Sequence, residues 1–140
     1  MKNFTTALYT HATTDTIGSG FMAAIGSRMY ENEAPLKAEF PHVVYHVISD
    51  VKDWQFTERF RDILVQFSIF STASGPTEVK DIYTKLLTLY DECSFSITSN
   101  TLVWFWRNNL ATMRDEVTTP AGTLGVWHYA VDFDINLLEG

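Results

Sequence analysis

Histidine and aspartate are the residue types in this chain best suited to metal binding or acid–base chemistry. His42 and His46 are four residues apart, a spacing that would pair two metal ligands on one face of a helix. Their neighbours are β-branched and aromatic, which predicts a strand, and four strand residues span about 13 Å. Two imidazoles that far apart cannot share one ion, so we favour ordinary structural histidines.

A second candidate constellation lies in the C-terminal alternation of apolar and polar residues, which places His128, Asp132 and Asp134 on one strand face. The Cα atoms of Asp132 and Asp134 would be about 7 Å apart, which suits paired carboxylates or a weak cation site. A small enzyme using His128 with either aspartate is therefore an alternative function, and it requires a concave pocket. A solvated strand face explains the same pattern, and we favour that interpretation.

The remaining reactive groups are poorly placed for catalysis. Cys93 is the single cysteine, and the preceding Asp91 and Glu92 carry charges that disfavour a thiolate. We interpret it as a packing residue. The segment Gly18 to Gly20 lacks the third glycine, the preceding strand and the lysine of a phosphate-binding loop. No catalytic residue, cofactor or metal is expected.

Hydrophobic periodicity predicts the elements that carry these residues. The amphipathic helix is the clearest, because Pro76 can begin a helix and apolar residues recur from Val79 to Tyr90 at helical spacing. Two short N-terminal helices are also expected. The predicted helices are Phe4–Thr13, Ile17–Ile25 and Pro76–Asp91, and the predicted strands are His42–Ser49, Phe60–Ser71, Phe95–Ile97, Leu102–Arg107 with a continuation over Leu110–Val117 after a bulge, and Trp127–Asn136.

The order of these elements predicts an α+β fold in one domain spanning residues 1–140. One face of an antiparallel sheet is aromatic and aliphatic, and the amphipathic helix and the N-terminal helix must cover it as a two-layer sandwich. Polar segments are predicted as loops over Asp50–Glu58 and Thr118–Gly125. In the consecutive Trp104, Phe105 and Trp106, alternation sends Phe105 to the opposite side from the tryptophans.

Composition and charge exclude several function classes. The chain has 140 residues with ten Lys and Arg against seventeen Asp and Glu, a net charge of −7. That balance is unfavourable for gripping nucleic acid through its phosphates. The longest apolar runs have five residues, whereas a bilayer-spanning helix needs about 20. We expect a soluble protein without a membrane partner.

Two groups of residues resemble a known family. The first contains Arg28-Met29-Tyr30, Ala34-Pro35 and Phe40-Pro41-His42-Val43-Val44-Tyr45, followed by Thr57-Glu58 and Val65-Gln66-Phe67-Ser68-Ile69-Phe70. The second contains the helix Glu78 to Leu89 and the terminal strand Tyr129-Ala130-Val131-Asp132-Phe133. In these segments the chain is similar to the tail-completion proteins of long-tailed bacteriophages, also called tail terminators or tail-to-head joining proteins.

This resemblance implies a virion structural protein and not an enzyme. It implies a homo-oligomer, commonly a ring of six copies, at the head-proximal end of the tail tube after assembly in the host cytoplasm. The expected partners are the major tail tube protein and the head-completion or connector protein. DNA passes through such a ring without specific binding, and the acidic balance of this chain fits that role. Another neck or tail component, such as a head-closure or tube protein, is the closest alternative.

Contacts with neighbours are expected in the two longest predicted loops, since loops carry binding surfaces and aromatic side chains anchor interfaces. The arginines beside Phe60 suit a nucleic-acid contact as well, although the acidic balance of the chain disfavours it. The predicted interface residues are Trp54, Phe56, Arg59, Arg61, Thr118, Pro120 and Thr123.

Overall fold

The architecture is a five-stranded sheet with three helices, seen in a computed structural model that describes residues 1–14, 16–120 and 122–139, and their side chains except those of 16–19 and 117–119. The elements in chain order are α1 (Lys2–Thr14), α2 (Thr16–Ala24), β1 (Met29–Glu31), β2 (His42–Gln55), β3 (Glu58–Ser71), α3 (Thr77–Tyr90), β4 (Asn100–Thr119) and β5 (Gly122–Glu139). None of the helices in these described ranges is long and apolar enough to cross a membrane.

The sheet is built from two long antiparallel hairpins, β2–β3 and β4–β5. They join through β3 and β5, so the strand order is β1-β2-β3-β5-β4. β1 is a three-residue strand parallel to β2, with Met29 opposite Val43. The sheet is therefore mixed, with β1–β2 as a parallel pair beside the predicted antiparallel pairs, and the predicted two-layer α+β sandwich is confirmed.

The helices cover one face of the sheet, as the alternation predicts. On β3, Ile63, Val65, Phe67 and Ile69 are at most 1% exposed, and they pack in the same core as buried residues of all three helices. The odd-numbered residues of β5 from Tyr129 to Leu137 lie in this core as well. The sheet face towards the helices is called the helix face below, and the other the open face.

Two predicted loops are wrong, for a common reason. β2 continues to Gln55, so the turn contains only Phe56 and Thr57, and the backbone of Thr118 pairs with Thr123 within the β4–β5 hairpin. No helix covers these hairpin ends, so their residues are polar. A polar segment without a buried, alternating face is predicted as a loop, even where its backbone forms a strand. A strand over Phe95–Ile97 is also wrong, since Ile97 makes only an isolated bridge with Asn100.

Predicted irregularities on β4 are confirmed. The β4–β5 register shifts between Arg107 and Asn109, where the bulge is expected, and again between Leu102 and Trp104. Phe105 is fully buried, whereas Trp106 is 50% exposed. Trp104 and Trp106 stack on the open face, with ring centroids 5.0 Å apart.

Tyr90 connects more elements than any other aromatic residue described. It is fully buried at the end of α3, with its ring centroid 5.0 Å from Phe67 and 5.4 Å from Phe105. Its hydroxyl donates a 2.7 Å hydrogen bond to the carbonyl oxygen of Leu8 on α1. One side chain thereby links α1, α3 and two strands.

We expect Tyr90→Phe to lower the free energy of unfolding by about 1–2 kcal/mol, because it removes a buried hydrogen bond while keeping the ring. Urea unfolding followed by circular dichroism measures this. Tyr83→Phe, on the half-buried side of the same helix, is the matched control and should change stability by less than about 0.5 kcal/mol. Equal effects of the two substitutions would contradict the role given to the Tyr90 hydroxyl.

A second prediction concerns alkaline pH. Burial raises the pKa of Tyr45 to about 12 and that of Tyr90 well above its ordinary value. Tyrosines with raised pKa in the folded state stabilise it below the unfolded pKa near 10 and lose this contribution as the pH rises. Stability should therefore decrease from about pH 10 upwards, by about 2 kcal/mol at pH 12 for Tyr45 alone. Urea midpoints across this range should fall less steeply for Tyr45→Phe than for Tyr83→Phe.

Candidate assembly surfaces

The β2–β3 turn presents aromatic side chains to solvent. Trp54 is 62% exposed and Phe56 is fully exposed. Phe56 also has a φ of 54°, in the left-handed region that bulky residues rarely adopt. A large apolar side chain that is exposed and has a positive φ does not stabilise the isolated fold. These residues therefore suit contact with another molecule.

The two arginines near this turn have different environments. The Arg59 guanidinium lies over the Trp54 ring, 4.5 Å from its centroid, and remains exposed. Arg61 is buried. It forms a bidentate pair with Asp50 and lies 3.7 Å from Glu139, and hydrogen bonding to Asp50 raises the pKa of its guanidinium. Arg61 is thus paired with carboxylates of its own chain, whereas Arg59 contacts only Trp54 among its described partners and remains exposed.

The β4–β5 hairpin extends past the rest of the sheet as a two-stranded ribbon. β3 ends at Ser71, opposite Trp127, whereas β4 and β5 continue pairing to Thr119 and Gly122. This ribbon, residues 115–126, is about 20 Å long at strand geometry. Pro120 and Thr123 on it are exposed, and the side chain of Thr118 lies outside the described residues.

The base of the ribbon is fixed by Trp127. Its indole Nε1 donates a hydrogen bond to the carbonyl oxygen of Ala73, 3.2 Å away. The Arg114 guanidinium lies over its ring at 4.3 Å from the centroid, passing across Gly125, where a Cβ would collide with it. A ribbon with a fixed base but no layer over its tip buries little surface by itself, and two-stranded ribbons are marginally stable alone.

Charges on the sheet segregate by face. Cross-strand partners share a face, so the register assigns each side chain. The lysine and arginines described on β2–β5 all align with core residues on the helix face: Lys52, Arg59, Arg61, Arg107 and Arg114. The open face instead carries five aspartates, which are Asp53, Asp62, Asp115, Asp132 and Asp134. The open face therefore carries aspartates among apolar residues and no described lysine or arginine of these strands, so histidine is its basic residue type.

The structure gives His128 different neighbours from those a catalytic group with Asp132 or Asp134 would have. Its ring stacks on Phe70 at 4.4 Å, and its Nδ1 lies 3.9 Å from Asp115. Burial lowers the pKa of His128, opposed by the Asp115 charge. Asp132 accepts a hydrogen bond from Gln66 instead. In the described ranges no three His, Cys, Asp or Glu side chains are grouped to hold a metal ion.

His42 and His46 are expected to be ordinary structural histidines, and the contacts of His42 are those of a packed side chain. His42 is buried, stacks on Phe70 at 5.1 Å and has its Nδ1 3.1 Å from the carbonyl oxygen of Glu39. Burial lowers its pKa. Both His42 and His128 therefore pack against one phenylalanine on the open face. The sequence analysis did not predict that these residues share one surface. The polar residues at even-numbered positions of β3 and β5 are the pattern from which it could have been predicted.

Comparison with known proteins identifies the family. A search of curated protein sequences finds no match. Among solved structures, one chain from the virion of a native gene transfer agent particle has the same fold, with a TM-score of 0.76 at 16% identity over 96% of this chain and 93% of that chain. The family model of tail completion protein gp17 matches residues 6–135. The chain therefore belongs to the tail completion protein gp17 family, whose members are structural proteins of phage tails.

Proposed function

We propose that this protein forms a ring, of six copies, that ends the tail tube at its head-proximal end and joins the tail to the head connector. The major tail tube protein and the connector are its neighbours, and assembly takes place in the host cytoplasm without a cofactor or a membrane. Family membership supports a role in the tail, and the free edges of the sheet carry the argument for a ring.

Both edges of the sheet are open in the single chain. Among the described residues, β4 pairs only with β5, and β1 covers β2 only from Val43 to Tyr45. The outer edge of β2 from Ser49 to Gln55 is thus unpaired. Because β2 and β4 run in opposite directions, β4 of one copy can pair antiparallel with β2 of the next. Such head-to-tail contacts generate a closed ring when the rotation per copy is suitable.

The two ends of the sheet offer separate surfaces for the neighbours along the tail axis. The turn with Trp54 and Phe56 lies at one end, and the ribbon tip with Pro120 lies at the other. A component inserted between tube and connector needs two different contacts at opposite ends. These two surfaces meet that need, with exposed aromatics as anchors at one of them.

The acidic open face fits a surface beside the DNA path. Its aspartates repel phosphates, so DNA can move past without being held. The lysine and arginine side chains described on β2–β5 lie on the opposite face, where Arg61 pairs with Asp50 and Arg59 and Arg114 lie over tryptophan rings. The segregation of charge thus supports passage of DNA without specific binding.

The tail-joining role predicts a defect in particles that lack the protein. Deleting the gene in a producing phage should give tails of abnormal length and filled heads without tails. Complementation with Phe56→Ala, or with residues 118–123 deleted, should restore few complete particles, because a hot-spot contact is worth about 2 kcal/mol in each copy. Electron microscopy and particle titre measure both effects.

Leu36→Ala is the matched control for Phe56→Ala, since Leu36 is a fully exposed apolar residue elsewhere in the chain. It should complement fully. Complete particles with both the Phe56 substitution and the deletion would remove the basis for these contact surfaces. Long cylinders formed by the purified wild-type protein would instead indicate a tube protein, and tails of normal length after gene deletion would indicate a head-closure component.

The same proposal predicts that the purified protein does not bind duplex DNA at moderate salt. The physical reason is the acidic open face together with the net charge of −7. Fluorescence anisotropy with a labelled duplex at about 150 mM salt should show no saturable signal. Replacing Asp62, Asp132 and Asp134 by Asn should leave the fold intact and increase weak binding at low salt. Saturable binding by the wild-type protein would contradict the assignment of the DNA-facing surface.

A further inference from the structure

A groove crosses the open face at the end of the sheet near the β2–β3 turn. It has a volume of about 490 Å³ and runs across β2, β3, β5 and β4. Six of the residues that line it carry the argument: Asp53, Phe60, Asp62, Trp104, Asp134 and Asn136.

The polar groups of this groove are rich in acceptors. Asp62 accepts a 2.6 Å hydrogen bond from Asn136, and Asp53 accepts one from Gln55. Asp134 has no hydrogen bond or ion pair with any described residue, and no described lysine or arginine pairs with these three carboxylates. Three partly buried carboxylates thus line the groove without a described cationic partner, and a positively charged ligand would be attracted to them.

Two buried polar side-chain atoms in the groove lining lack a hydrogen-bond partner among the described residues, the acceptor Oδ1 of Asn136 and the donor Nε1 of Trp104. The side chain of Asn136 is only 3% exposed. Its Nδ2 donates to Asp62, but its Oδ1 is buried without a hydrogen-bond partner. A buried acceptor without a donor costs about 1–3 kcal/mol. Its position in the lining of the groove places this unmet acceptor beside the unpaired carboxylate of Asp134.

An aromatic wall completes the groove. Trp104 lies opposite Asn136 on the neighbouring strand, and Trp106 lies opposite Asp134, so the stacked indole rings flank the acceptors. This pairing of tryptophan with carboxylates suits a planar cation, which can stack on an indole ring and donate in-plane to a carboxylate. The chain places two of its own arginines over tryptophan rings, at Trp54 and Trp127.

We propose that this groove binds an arginine side chain presented by an extended segment of a basic partner protein. The guanidinium stacks on the indole of Trp104 and donates to Asp134 and to the Oδ1 of Asn136. A bound divalent metal is a poorer occupant, because no three carboxylates in the described residues are close enough to hold one.

A second copy of the chain is also a poorer occupant than a different protein. Two copies, each with a net charge of −7, repel one another through acidic open faces. Four of the five arginines are already held: Arg59 and Arg114 lie on tryptophan rings, Arg61 pairs with Asp50, and Arg28 donates to the carbonyl oxygen of Pro41. Only the assumption that the partner is a virion component rests on the proposed function.

The test uses the purified full chain and two blocked peptides, Gly-Arg-Gly-Arg-Gly and the same sequence with citrulline, which has the shape of arginine without its charge. Tryptophan fluorescence and calorimetry at about 50 mM salt measure binding. The arginine peptide should bind at least about tenfold more tightly than the citrulline peptide. Asp134→Asn should weaken arginine-peptide binding about tenfold, and Trp104→Leu should also weaken it.

Glu116→Gln is the matched control, since it removes one exposed negative charge on the ribbon, away from the groove, and should change affinity less than twofold. The side chain of Asp134 makes no hydrogen bond or ion pair with a described residue, so Asp134→Asn should leave the unfolding midpoint nearly unchanged.

The proposal would be overturned if the two peptides bind with equal affinity, or if neither binds at millimolar concentration. It would also be overturned if Glu116→Gln weakens arginine-peptide binding as much as Asp134→Asn does. If Asp134→Asn instead abolishes self-association and leaves peptide affinity unchanged, the occupant is a second copy and the proposal is also wrong. Because none of these measurements involves tails, they do not depend on the outcome of gene deletion.

Discussion

The structure depends on packing three helices against a single face of the sheet. Tyr90 lies at the centre of that contact, where its ring touches the aromatic core and its hydroxyl holds α1 to the end of α3. A layer on one side only leaves the other side of each strand in water or against another molecule. Because side chains alternate along a strand, each core residue obliges its neighbour to face outwards. The open face is thus a direct consequence of how the core is formed.

This constraint explains why the lysine and arginines described on β2–β5 can all lie on one face of the sheet. Carboxylates on even-numbered positions of β3 and β5 fall on the open face, while Arg61 at an odd position falls on the helix face beyond the helices. There it is buried and needs Asp50 as a counter-ion. A shift of one residue in register would bury the aspartates and expose the core, so folding and surface charge are specified by the same alternation.

The alternation also separates what could be predicted from the sequence and what could not. β3, α3 and β5 are strongly periodic because each has one buried face, and the patterns at Ile63 to Ile69 and Tyr129 to Ile135 reveal it. β1 escapes prediction because three residues show no period, and its parallel pairing depends on distant contacts. The ends of both hairpins were misread as loops since nothing covers them. That error hid Asp53 and the groove, although Trp54 and Phe56 were visible as aromatics in a polar setting.

The surfaces that remain after folding are physically distinct, and this limits how they can be used. Edges offer backbone hydrogen bonds with little side-chain selectivity, so they suit repeated contacts between identical copies. The sheet ends offer isolated anchors such as Phe56, which suit contacts with different neighbours. In the assembly proposed above, the carboxylates of the open face repel DNA along its length and favour a guanidinium at the groove beside Trp104. The same negative charge can therefore repel DNA and attract an arginine-bearing protein segment. The two effects differ only in local geometry, because the groove adds an indole ring for the guanidinium to stack on.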